Sequence, residues 1–132
     1  MKRKGSRFER ELLDIFWREG FAAVRVAGSG SSSYPSPDLL VGNGKRFFAL
    51  EVKMRKDLPL YISGERVREL VMFSNLFGAE PLVALKLPRR RWKFFGISDL
   101  IETEKGYKIS EENYHLGKDL EEVVGKYRQQ RL

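Results

Sequence analysis

A mixed α/β domain, with a central β-sheet flanked by helices, is the fold this sequence predicts, on three observations. Helix-like and strand-like runs follow one another in the order α-β-β-β-α-β-β before a C-terminal tail. Asn43-Gly44 lies between two apolar-rich runs, the strongest short signal for a β-hairpin. "PLVALKL", residues 81–87, is continuously apolar and follows a helical pattern, as a buried strand after a crossover helix does.

The elements follow in order. "SRFERELLDIFWREG" places Phe8, Leu12, Ile15 and Phe16 at helical spacing. Ser6 and Glu9 fit a capping box at its start, and Gly20 fits its stop. "FAAVRV", residues 21–26, reads as a strand, and "AGSGSSSYPSP" as a loop. The hairpin strands lie near residues 38–41 and 46–53. "MRKDLPLYIS" reads as irregular or short-stranded. "GERVRELVMFSNLFG" is a second helix closed by Gly78, with a broad apolar surface from Val67, Leu70, Val71, Phe73, Leu76 and Phe77. "RWKFFGI" and "YKI" are further strand candidates, and "KDLEEVVGKYRQQ" a closing helix.

The 132 residues suggest one domain, residues 1–132, around one core. An apolar fraction of 42% favours a folded globule over a disordered chain. No apolar run reaches the length of a membrane span, and the charged N-terminus is unlike a signal peptide, so a soluble, cytoplasmic protein without membrane partners is expected. The absence of Cys excludes disulfides, thiolate metal sites and cysteine nucleophiles. With one histidine, His115, any metal must be a hard ion held mainly by carboxylates, such as Mg²⁺ or Mn²⁺. A net charge of +7 favours an anionic partner, nucleic acid first. "LPRRRWKFF" combines three arginines with Trp92 and reads either as a phosphate-tracking stretch or as a solvated turn before a buried aromatic strand.

The chemistry concentrates at one end of the hairpin. If Asn43 and Gly44 are its two loop residues, Gly42 faces Lys45 and Asp38 faces Ala49. Glu51 then lies diagonally from Asp38 on the same face, roughly 7–8 Å away. Lys53, two residues on, shares that face, and Val52 points into the core. A three-residue loop would reverse the parity and part the carboxylates. Two neighbouring carboxylates beside an ammonium are the equipment of metal-assisted phosphodiester hydrolysis. The Val52 carbonyl offers one more hard oxygen donor. Glu9 serves either the capping box or the metal site as a third acidic group. The same short pattern also fits an exposed strand with a weak ion pair.

Pro37-Asp38 followed by Glu51-Val52-Lys53, with a helical Glu9 upstream, resembles the PD-(D/E)xK nuclease superfamily. Its restriction-endonuclease-like core has the α-β-β-β-α-β order read above. "RKGSRFERELL", "GFAAVRVAGS", "PDLLVGNG", "ALEVK", "FSNLFG" and "PLVALKL" are similar to archaeal Holliday-junction resolvases, over roughly the first hundred residues. The resemblance implies a homodimer that nicks four-way junction DNA during recombination and repair. It assigns Glu9, Asp38, Glu51 and Lys53 to catalysis, with Mg²⁺ or Mn²⁺ held mainly by Asp38 and Glu51. It matches Arg10 and Arg25 to basic positions that contact phosphate or support the site, and Lys2, Arg3 and Lys4 to a basic N-terminal arm. A loop serine acts in some members, and Ser31 is the nearest match among Ser29, Ser31, Ser32 and Ser33. The competing readings are a non-catalytic junction-binding protein on the same fold, another endonuclease of the superfamily, and a basic protein–protein adaptor.

Overall fold

The computed structural model describes residues 4–27 and 34–125, with side chains from residue 7 onward. Helix α1 (Lys4–Arg18) leads into β1 (Ala22–Arg25), β2 (Leu39–Gly42) and β3 (Phe47–Met54). Then come β4 (Leu60–Ser63), α2 (Gly64–Phe77), β5 (Glu80–Lys86) and β6 (Lys93–Phe95). β7 (Ile101–Glu102), β8 (Gly106–Ile109) and α3 (Leu120–Val123) complete the described part. The central sheet has the order β1-β2-β3-β5-β6, and β4-β8-β7 form a second, smaller sheet. β3 and β5 pair in parallel across α2, whereas β1–β2, β2–β3 and β5–β6 are antiparallel. The mixed sheet and the crossover therefore match the sequence reading. β4, a short strand inside the stretch read as irregular or short-stranded, pairs with β8 of the second sheet.

Strand alternation divides the core in two. Phe48 and Leu50 of β3, with Leu82 and Ala84 of β5, pack beside Leu12 and Phe16 of α1, and Val52 joins them. Val83 and Leu85 point the other way and pack with Val67 of α2, Leu60, Ile62 and Ile109. Glu51 pairs in register with Val83, so its side chain takes the α2 side. Ser63 caps α2 by accepting a hydrogen bond from the Arg66 amide (3.1 Å). Gly78 ends the helix in the left-handed conformation, φ 91°, as its position predicts.

Three details differ from the sequence reading. The hairpin loop has four residues, not two: the last pair is Gly42 with Phe47. Asn43 Oδ1 accepts hydrogen bonds from the amides of Lys45 (2.9 Å) and Arg46 (2.7 Å), which draws both residues into the turn. Gly44 supplies the positive φ, 91°. Second, Ser6 does not start α1, which already begins at Lys4. The helix runs through the proposed box, and the Glu9 carboxylate is engaged by Arg25 instead. Third, the closing helix is confined among the described residues to the short α3, and the remainder of that stretch from residue 126 lies outside them. Among the described residues, no helix is long and apolar enough to cross a membrane.

Two substitutions check this packing. Phe94→Ala removes a fully buried ring at the centre of the α1-side core and is expected to cost about 3–5 kcal/mol in a denaturant titration. Tyr61→Ala, on the exposed face of β4, is expected to stay within about 0.5 kcal/mol.

Candidate active site

The register of β2 on β3 builds the site. The ladder ends at Leu39 with Leu50, and one further step sets Asp38 beside Glu51. The longer turn shifts the expected pairing by two residues, from Ala49 to Glu51. An even shift preserves the parity, so the two carboxylates share a face and lie closer than a diagonal pair. Backbone bonds fix Asp38: its amide donates to Leu50 O, and its Oδ2 accepts from the Val52 amide, both at 2.8 Å. Val52 thus contributes its N–H to the site while its side chain packs toward α1.

Glu51 is only 5% exposed, and a carboxylate so far from water needs compensation. Arg66, from the first turn of α2, provides it. Its Nε and Nη2 lie 2.8 and 2.6 Å from Glu51 Oε1. Nη2 is also 3.7 Å from Asp38 Oδ1 and donates to the Ser36 carbonyl at 3.0 Å. Lys53 Nζ stands 3.5 Å from Glu51 Oε2. Two anions and two cations therefore meet on the α2 side of the sheet. Burial works against the charged form of Arg66, but the hydrogen bond and charge of Glu51, helped by Asp38 and Glu69, outweigh it and raise the pKa above its ordinary value.

Arg66 was missed in the sequence reading, although a signal was present. A helix N-terminus carries partial positive charge, so a basic residue in the first turn is unfavourable unless an anion compensates it. Arg66, three residues after the cap Ser63, is such a residue.

Glu9 takes another position. It projects from α1, and its Oε1 accepts a hydrogen bond from Arg25 Nε at 2.5 Å. Among the described residues, no three acidic or histidine side chains converge in a way that would hold a metal. The Glu9–Arg25 pair unites two sequence candidates, and Arg25 is followed by Val26, whose amide donates to Asp38 O at 2.9 Å. Arg10 is exposed on α1. Lys4 opens α1, but its side chain lies outside the described residues, as do Lys2, Arg3 and the loop serines Ser29, Ser31, Ser32 and Ser33.

The "LPRRRWKFF" stretch is held down within the molecule. Trp92 is buried in the α1-side core, Arg90 lies over the Tyr114 ring, and Arg91 Nη2 contacts both Glu121 oxygens at 2.6 Å. That contact lowers the Glu121 pKa.

Comparison with known proteins gives one consistent result. The family model described as archaeal Holliday junction resolvase (Hjc) matches residues 1–132. The crossover junction endodeoxyribonuclease Hjc of Archaeoglobus fulgidus is 56% identical over 132 residues, covering 100% of this chain and 97% of its own. That of Methanocaldococcus jannaschii is 34% identical over 130 residues, covering 98% and 93%. The solved structure of Archaeoglobus fulgidus Hjc superposes with a TM-score of 0.88 over 92% of this chain and 98% of that one. A hairpin that brings two carboxylates and a lysine to the α2 side of this sheet thus sits in a chain that, along its whole length, belongs to the archaeal Holliday-junction resolvases, endonucleases of the four-way DNA junction.

Proposed function

We propose that this resolvase cuts opposed strands of a four-way junction by divalent-metal-dependent hydrolysis, with Asp38 and Glu51 as the principal metal ligands, and that it acts as a homodimer. The observation that carries the reading is the approach of Asp38 and Glu51 to one guanidinium, with Lys53 alongside. Carboxylates close enough to share one cation suit a hard divalent ion, and the donors at hand are all oxygens. The Val52 carbonyl is a further candidate ligand. A bound Mg²⁺ or Mn²⁺ supplies charge to the phosphoryl oxygen and lowers the pKa of its water.

The chain's own groups do the rest. The Val52 amide holds Asp38 in one orientation. Lys53 offsets the negative charge that grows on phosphate as water attacks phosphorus in line and the P–O bond to the leaving strand breaks. Glu9 orients Arg25 toward the DNA backbone, and Arg10 with the basic segment Lys2, Arg3 and Lys4 adds phosphate contacts. Ser31 is the loop serine assigned to support cleavage.

Paired incision of a two-fold junction calls for two sites with the same symmetry. The outer face of α2 suits a second copy. Leu76 is 84% exposed, Met72 and Phe77 are more than half exposed, and Phe73 stacks on Phe77 at 5.4 Å.

Two experiments test these statements. End-labelled junction and matched duplex are incubated with the protein, with Mg²⁺ or with EDTA. Asp38→Asn and Glu51→Gln are expected to lose cleavage by about 10³-fold while junction binding persists, because each removes a negative charge facing phosphate. Cleavage retained by either folded variant would remove that carboxylate from the ligand set. Leu76→Glu is expected to weaken the dimer by roughly a hundredfold and turn paired incision into single nicks. An unchanged mass in sedimentation would place the interface elsewhere.

A further inference from the structure

We propose that Arg66 is a built-in counter-ion that competes with the divalent cation for Asp38 and Glu51, so that it sets the metal affinity of the site and must be displaced when metal binds. The inference rests on the preceding assignment of Asp38 and Glu51 as metal ligands and adds a residue that controls them.

Three observations carry it. First, Arg66 sets two of its nitrogens against a single oxygen, Glu51 Oε1: Nε donates to it at 2.8 Å, and Nη2 lies 2.6 Å away as an ion pair. An oxygen that accepts a hydrogen bond from one guanidinium nitrogen and lies against a second is poorly placed to coordinate a cation as well. Lys53 approaches the other oxygen of Glu51, so neither is without a cationic neighbour. Second, both candidate ligands already face cations: Arg66 lies near Asp38 and Glu51, and Lys53 near Glu51. A divalent ion added without displacing either cation would set two further positive charges beside them, only partly offset by Glu69 on Arg66, in a site where Glu51 is almost wholly buried. Third, Arg66 has somewhere to go. Its Nη1 already lies 3.4 Å from Glu69 Oε1, one turn along α2. The guanidinium can give up Glu51 and keep a carboxylate partner.

Of the two cations, Arg66 is the one to move. Lys53 stands 3.5 Å from one oxygen of Glu51, whereas Arg66 lies 2.6 Å from Glu51 and 3.7 Å from Asp38. Its displacement frees the two ligands together. Arg66 is thus a positioning residue: it keeps a buried carboxylate pair ionised and ordered, and it makes metal binding an exchange of cations.

Mn²⁺ binding by the full chain, measured by titration calorimetry and by electron spin resonance of free Mn²⁺, tests this directly. The variants are Arg66→Met, Arg66→Lys and Asp38→Asn, each checked for folding by circular dichroism. Arg66→Met, uncharged and of similar length, is expected to bind Mn²⁺ about tenfold more tightly than the unaltered chain. Its melting temperature should fall without metal, because Glu51 loses its partner, and rise with Mn²⁺ by more than that of the unaltered chain. Arg66→Lys keeps the charge without the fork and should fall between the two; it serves alone if Arg66→Met does not fold. A folded Arg66 variant whose Mn²⁺ affinity equals or falls below that of the unaltered chain overturns the proposal. If Asp38→Asn meanwhile abolishes Mn²⁺ binding, the ligand assignment survives that result. If Asp38→Asn binds Mn²⁺ as the unaltered chain does, the ligand assignment itself fails, and the role of Arg66 fails with it.

Discussion

A carboxylate buried in a sheet must find positive charge, and Glu51 imposes that demand on everything around it. It sits on the central strand β3, beside Val83, where most positions hold packing residues. Leaving such a charge unpaired costs about 3–5 kcal/mol, a large share of the stability of a small domain. The fold meets the demand with Arg66 from α2 and Lys53 from the same strand. The position of α2 is therefore tied to the site as well as to the core. Val67 and Leu70 anchor the helix by burial, Ser63 fixes its first turn, and that turn delivers the guanidinium.

The hairpin supplies the second constraint. Asp38 joins Glu51 only because β2 and β3 pair in one register, and the turn sets that register. Asn43 holds the amides of Lys45 and Arg46, and Gly44 takes the conformation other residues resist. A change of one residue in the loop would send Asp38 to the α1 side, among Leu39 and Val41 of the core. The backbone also orients Asp38 directly, through the Val52 amide. Turn, ladder and carboxylate geometry are one object here, so mutations in the hairpin turn also act on the carboxylate pair.

Most of the fold was legible because its signals are local or strongly periodic. The apolar positions of α1 and α2, Gly78 as a stop and the unbroken apolar run of β5 each point to a single element. The face shared by Asp38, Glu51 and Lys53 was legible too, since strand parity depends only on whether the loop is even or odd. Loop length itself was not, because Asn-Gly fits a two-residue turn as well as the start of a longer one closed by the Asn43 side chain. The Ser6–Glu9 box was misread for a related reason: the motif is short, and Arg25, distant in sequence, offers Glu9 a stronger partner. Arg66 was passed over because its partners lie 15 and 28 positions away, and only its place in the first turn of a helix hinted at an anion nearby.

The central claim is that Asp38 and Glu51 form one cation site which a guanidinium and a divalent metal occupy in turn. Anomalous diffraction from crystals of the protein soaked in Mn²⁺ tests it most directly. The account predicts an anomalous peak within coordinating distance of both Asp38 and Glu51, with the Arg66 guanidinium drawn away toward Glu69. A peak at other carboxylates, or one at this pair with Arg66 still bound to Glu51 Oε1, would contradict it.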